Sequence, residues 1–207
     1  MKIVFDFGAV LFRWHPPSFL ARVWAHRVAD EIEGAEIAKH FFQAYSGDWG
    51  AFDQGLADAS TTADRIHART GWPRDEIVAV MDAVPSELKL IEGSAALIQE
   101  LKAQGHTLHY LSNMPEPYAD YLEQTFPLNE WFVSGVFSGR VKQSKPSREI
   151  FDLAREQFQA EARELLFLDD HPANIAAAKA LGWHGHLFTT PELARAELVQ
   201  RGLLPAG

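Results

Sequence analysis

The sequence predicts an α/β protein, a doubly wound parallel-sheet core interrupted after its first strand by an all-helical insert. Three short apolar runs, Ile3-Val4-Phe5, Tyr110-Leu111 and Leu166-Phe167-Leu168, stop abruptly at polar or acidic residues, as buried parallel strands do at the carboxyl edge of an open sheet. From residue 16 to about residue 84 apolar residues recur at helical spacing and no strand pattern is found. Beyond Pro85 strand and helix patterns alternate, which implies right-handed βαβ units. The core is therefore expected over residues 1–15 and 86–207, with the helical cap over 16–85.

The first strand, 2–6, is short, β-branched and aromatic, and a carboxylate ends it. In the insert, Phe19, Leu20, Val23, Trp24 and Val28 share one helical stripe, and Ile32, Ile37, Ala38, Phe41 and Tyr45 share another. Thr61-Thr62-Ala63-Asp64 can start a further helix, and Pro73-Arg74-Asp75-Glu76 opens one with proline and acids in its first turn. The core then reads as helix 94–103, strand 107–111, helix 116–125, strand 132–137, helix 147–158, strand 165–168, helix 172–181, strand 184–188 and helix 191–201.

With 207 residues, 47% hydrophobic and 23% charged, the chain can bury a full core. A formal net charge of -9 without a basic cluster argues against a nucleic-acid partner, because phosphate neutralisation needs concentrated positive charge. The absence of cysteine excludes disulfides, thiolate metal sites and cysteine nucleophiles. No segment has the length of a membrane span, and Met1 leads into a strand rather than a signal peptide. A cytoplasmic protein with no membrane partner is expected, its oligomeric state open.

Four segments carry the chemistry. Asp6, at a strand end, can be held rigidly and attack phosphorus or carbon, or it can cap the following turn. Ser112 and Asn113 can hydrogen-bond the oxygens of a phosphoryl group, or mark a helix start. Lys145, held extended by Pro146, can neutralise nucleophile and phosphoryl charge, or be a solvated lysine. Asp169-Asp170 puts two carboxylates at a buried strand end, where a cation compensates their repulsion, or where they cap the helix opening at Pro172. Oxygen ligands of this kind suit Mg²⁺, and suit Mn²⁺ equally.

The ordered set Asp6, Ser112-Asn113, Lys145-Pro146 and Asp169-Asp170 resembles the four motifs of the haloacid dehalogenase (HAD) superfamily, whose core is Rossmann-like. The continuation His171-Pro172-Ala173-Asn174-Ile175 is similar to that family's fourth motif, and the insert to its helical-cap (C1) subclass. The resemblance implies Asp6 as nucleophile and metal ligand, with Ser112 and Asn113 on the phosphoryl oxygens and Lys145 orienting nucleophile and substrate. It also implies Mg²⁺ held by Asp6, the Gly8 carbonyl, Asp169 and Asp170.

Position 8 departs from the phosphatase pattern, which places a second Asp there as general acid and base, a role worth about 10²–10⁴-fold in rate. Gly8 alone favours a 2-haloacid dehalogenase; the acid pair Asp169-Asp170 favours a phosphatase, similar to the sugar-1-phosphate phosphatases. An anomeric leaving group needs less protonation and would tolerate Gly8, and a replacement acid could come from His15 or from the cap. The expected function is a Mg²⁺-dependent phosphatase of a small phosphorylated metabolite, a sugar phosphate by preference, acting through an aspartyl-phosphate. The alternatives are hydrolytic dehalogenation and a weakly active phosphate-binding homologue. The stretch 46–55, read as lying between cap helices, could close over the substrate, with Trp49 stacking on a sugar ring or packing cap against core, and Asp48, Asp53 or Gln54 bonding hydroxyls.

Overall fold

A computed structural model describes residues 1–206. Strand β1 (Lys2–Phe5) is followed by five helices, α1 (Pro16–Val23), α2 (Glu31–Phe42), α3 (Gly47–Asp53), α4 (Ala59–Thr70) and α5 (Arg74–Glu87). The rest of the chain alternates: α6 (Glu92–Ala103), β2 (Thr107–Ser112), α7 (Glu116–Thr125), α8 (Leu128–Trp131), β3 (Ser134–Phe137) and α9 (Ser138–Val141) come first. Helix α10 (Arg148–Gln157), β4 (Leu165–Asp169), α11 (Pro172–Ala180), β5 (His184–Leu187) and α12 (Pro191–Gln200) complete it.

The strands form one parallel sheet in the order β3-β2-β1-β4-β5. Lys2–Phe5 lies level with Thr107–Tyr110 on one side and Leu165–Leu168 on the other. Strand order thus runs outward from β1 in both directions, which opens a crevice at the carboxyl edge beside it. Alternation along each strand divides the core. Ile3, Phe5, Leu166 and Leu168 face α6, α7 and α12, while Val4, Leu165 and Phe167 face α10 and α11. The doubly wound α/β core with a helical insert is as the sequence predicts.

The insert packs around aromatic rings: Trp49 meets Phe42 edge-on at 4.6 Å, and Trp24 meets Trp72 at 5.1 Å. Its apolar interior is continuous with the α6 side of the core. Asp30 caps α2 and Asp58 caps α4, each accepting backbone N–H bonds. The two connections to the core run side by side, Arg13 N–H donating to Lys89 O at 2.8 Å and Ile91 N–H to Leu11 O at 2.9 Å.

The structure shifts some predicted elements. The stretch 46–55 contains helix α3 instead of an open connection. Pro127 starts a helical turn at Leu128, so β3 begins at Ser134, and the polar run Ser138-Gly139-Arg140 is helical. Helix α5 continues through Pro85 to Glu87. A proline has no N–H for the carbonyl one turn back, and here Tyr118 Oη donates to that carbonyl, Met81 O, at 2.9 Å.

Candidate active site

The sheet brings the four motif segments to one place. Asp6 follows β1, Ser112 and Asp169 end β2 and β4, and Asn113 and Lys145 face each other across the crevice. Lys145 is almost fully buried. Its Nζ lies 2.7 Å from Asp169 Oδ2 and 2.8 Å from Asp6 Oδ1, donates to Leu111 O at 2.9 Å, and sits over the Phe167 ring. Burial opposes its charge, but Asp169 and Asp6 overcome that and leave its pKa above the ordinary lysine value. One ammonium thus faces a cluster of acids: oxygens of Asp6, Asp169 and Asp170 lie within 4.8 Å of one another.

The three carboxylates differ in what already binds them. Both oxygens of Asp169 are engaged, Oδ1 by His171 N–H at 2.7 Å and Asn174 Nδ2 at 3.0 Å, Oδ2 by Lys145 Nζ and Asn174 Nδ2 at 3.1 Å. Asp6 is buried; its Oδ1 meets Lys145 Nζ as a close ion contact at 2.8 Å and accepts no other hydrogen bond among the described residues. Burial pushes the Asp6 carboxyl up to about 7; Lys145 opposes the rise, and Asp169 and Asp170 add to it. Asp170 is exposed and lines the cavity. An under-partnered buried carboxylate beside two further acids is a donor set that fits a hard divalent cation.

Asn113 lines the cavity. Its Oδ1 accepts from Lys145 N–H at 2.8 Å and its Nδ2 donates to Lys145 O at 3.0 Å, so the amide clamps the lysine backbone. Ser112 is buried at the crevice floor, and Gly8 and Trp49 line the cavity wall. Trp49 also packs on Phe42 and Phe52 of the insert and against Tyr118 of the core. His15 is exposed and engages Ser18 at the start of α1; Asp48 pairs with Arg69, and Gln54 donates to Lys142 O. Of the polar residues of the stretch 46–55, Asp53 is buried at the cavity.

Two residues have roles that sequence reasoning did not assign. Asn174 bridges both oxygens of Asp169; its signal was its place in the first turn of the helix that follows the acid pair. Ser138, fully buried, accepts from Met114 N–H and donates to Asp53 O, and nothing local in the sequence marks it.

The crevice opens into a cavity of about 310 Å³. Its floor is polar, with Asp6, Lys145 and Asp170. Its walls are apolar, built from Trp14, Trp49, Val84, Leu88 and Tyr118. A side-chain carbon added at Gly8 would meet Trp14 at 3.7 Å, an ordinary contact, so the glycine is not there for want of space.

The chain is similar to characterised proteins along most of its length. It is 28% identical over 193 residues to the sesquiterpene phosphatase astK of Aspergillus oryzae, covering 92% of this chain and 90% of that one. A HAD family enzyme of Bacteroides thetaiotaomicron, solved with magnesium and inorganic phosphate, superposes with a TM-score of 0.70 at 20% identity, over 91% of this chain and 93% of that one. The L-2-haloacid dehalogenase of Xanthobacter autotrophicus, solved with chloropropionic acid covalently bound, gives 0.65 at 22% identity, over 99% and 84%. At these identities the two structures share the fold. The family model described as haloacid dehalogenase-like hydrolase matches residues 3–182, and the chain therefore belongs to the haloacid dehalogenase-like hydrolases.

Proposed function

We propose that this hydrolase is a divalent-cation-dependent phosphatase that cleaves a monoester with an apolar organic group through an aspartyl-phosphate on Asp6. The observation that carries the reading is three carboxylates around one buried ammonium at the floor of an apolar cavity. Three acids with one cation would repel a haloacid, whereas with a metal they accept a phosphoryl group.

Asp6, the Gly8 carbonyl and Asp170 would hold Mg²⁺, with Asp169 contributing through its charge because its acceptor positions are occupied. The ion, when bound, supplies charge neutralisation and polarisation of a phosphoryl oxygen. Asp6 attacks phosphorus, with Lys145 holding its carboxylate in line. Ser112 and the backbone N–H groups after β2 bind the phosphoryl oxygens, and Asn113 positions Lys145. Trp49 and the other apolar walls take the organic group.

The apolar walls favour a hydrocarbon group over the sugar expected from sequence, and the similarity to a sesquiterpene phosphatase supports the same choice. Burial of each methylene is worth about 0.8 kcal/mol, so kcat/KM should rise about fourfold per added carbon until the cavity fills. Phosphate release from butyl, hexyl and octyl phosphates, a sesquiterpene alcohol phosphate and glucose phosphates, with Mg²⁺ or chelator, tests this. A flat chain-length series with faster sugar phosphates would overturn the apolar assignment. Metal-independent halide release from 2-chloropropionate without phosphate release would overturn the phosphatase reading itself.

A further inference from the structure

The phosphatase reading leaves one chemical requirement unfilled. Expelling an alkoxide is slow unless its oxygen is protonated as the bond to phosphorus breaks, and the position that would supply the proton is Gly8. His15 is turned away toward Ser18, so it does not fill the gap.

One buried acid of the cavity is otherwise unused. Asp53, the last residue of α3, is 6% exposed and lines the cavity that Asp6 and Lys145 floor. It belongs to the helical insert, yet its backbone is fastened to the core. Asp53 O accepts from Ser138 Oγ, Gln54 Nε2 donates to Lys142 O at 2.9 Å, and Lys142 Nζ donates to Gly55 O. Gly55, at φ 67°, lies so close to the core that a side-chain carbon there would stand 2.2 Å from Gly139 O. The segment 53–55 is thus fastened to the core, and it holds Asp53 in the wall of the cavity that Asp6 and Lys145 floor.

We infer, resting on the phosphatase reading, that Asp53 is the catalytic acid and base that stands in for the missing second aspartate. As Asp6 bonds to phosphorus and the ester P–O bond breaks, the Asp53 carboxyl gives its proton to the departing oxygen, releasing the alcohol. Water then attacks the phosphorus of the aspartyl-phosphate and its proton passes to the Asp53 carboxylate. Asp6 leaves as carboxylate, inorganic phosphate departs, and Asp53 is again protonated.

The surroundings support the starting protonation state. Burial pushes the Asp53 carboxyl well above the usual carboxylate range; the Trp49 side chain one turn earlier opposes this, the Asp6 charge adds to it, and Lys145 opposes it. Tyr45 and Tyr118, which line the same cavity, are both pushed above the ordinary tyrosine value by burial and remain neutral. Asp170 and His171 line the same cavity.

The test compares 4-nitrophenyl phosphate with benzyl phosphate, two esters of similar size whose leaving groups differ greatly in acidity. In Asp53→Asn, kcat/KM for benzyl phosphate should fall about 10²–10³-fold while that for 4-nitrophenyl phosphate changes less than about tenfold. The pH profile for benzyl phosphate should lose the limb on which activity declines as Asp53 ionises. Equal loss on both esters, or no loss on benzyl phosphate, would overturn the role of Asp53. If Asp53→Asn shows no cooperative melt, Asp53→Glu, which keeps the acid but displaces it, should give the same split in weaker form; equal effects on both esters would again overturn it. Failure of the native chain to release phosphate from 4-nitrophenyl phosphate with Mg²⁺ would instead refute the phosphatase reading.

Discussion

Replacing Asp6 with Asn removes the proposed nucleophile, and the same change should stabilise the metal-free protein above neutral pH. The Asp6 carboxyl is raised from 3.8 to about 7, chiefly by burial. The folded chain therefore keeps a proton there that the unfolded chain has released. The stability contributed by this group is fully present below pH 3.8 and is lost as pH rises through about 7. A shift of roughly 3 units corresponds to about 4 kcal/mol of disfavoured ionisation at alkaline pH. Loss of the Lys145 contact in the variant offsets part of this, so a net gain of about 1–3 kcal/mol is expected at pH 8. Urea unfolding in chelator at pH 8 and pH 5 measures it, with the gain vanishing at the lower pH. Mg²⁺ should shrink or reverse this advantage, because a ligand at 100 times its Kd stabilises the native chain by about 2.7 kcal/mol and the variant by much less. Activity should fall about 10⁴–10⁶-fold. A variant less stable than the native chain at pH 8 in chelator, or equally stabilised by Mg²⁺, would refute the reasoning.

Three further outcomes are expected. Asn174→Ala removes the amide that bridges both oxygens of Asp169 and should cost about 1–3 kcal/mol of stability, measured by urea unfolding, and weaken Mg²⁺ binding measured by calorimetry. Gly55→Ala forces a methyl group against Gly139 O at a positive φ and should lower the melting temperature and detach Asp53, so that benzyl phosphate activity falls more than 4-nitrophenyl phosphate activity. Gly8→Asp, whose first side-chain carbon fits beside Trp14, should change benzyl phosphate turnover less than about tenfold in the native chain but restore about tenfold or more in the Asp53→Asn background. Steady-state rates on the two esters decide both.

Much of this protein is written in local sequence. Asp6, Ser112 and Asp169-Asp170 stand where apolar runs end, and a parallel sheet places every strand end of that kind on one edge. The fold class and the shared edge of those three segments were therefore legible from patterning, whereas Lys145, which ends no strand, joined them only through the resemblance to the family's motifs. Element boundaries were less so where proline acts in context: Pro85 reads as a stop, yet α5 passes through it because Tyr118 satisfies the carbonyl left without a donor. The stretch 46–55 read as a connection because three glycines and two acids obscure its helical pattern, and burial of Trp49 and Phe52 against the aromatic cluster made it helical.

By itself the sequence determined which chemical groups the candidate site contains, because Asp6 and the pair Asp169-Asp170 close strands and Lys145 stands in the short connection before α10. Only the tertiary structure decided how each is used. Whether a carboxylate or amide is free depends on which donors surround it: Asn113 is bonded to Lys145 and Asp169 to Asn174, while Asp6 Oδ1 has the Lys145 ion contact alone among the described residues. The apolar character of the cavity likewise arises from Trp14, Val84, Leu88 and Tyr118, residues distant in sequence that meet only when insert and core close around one volume. Hydrogen-bond saturation and enclosed shape are properties of neighbours in space, and a linear pattern does not carry them.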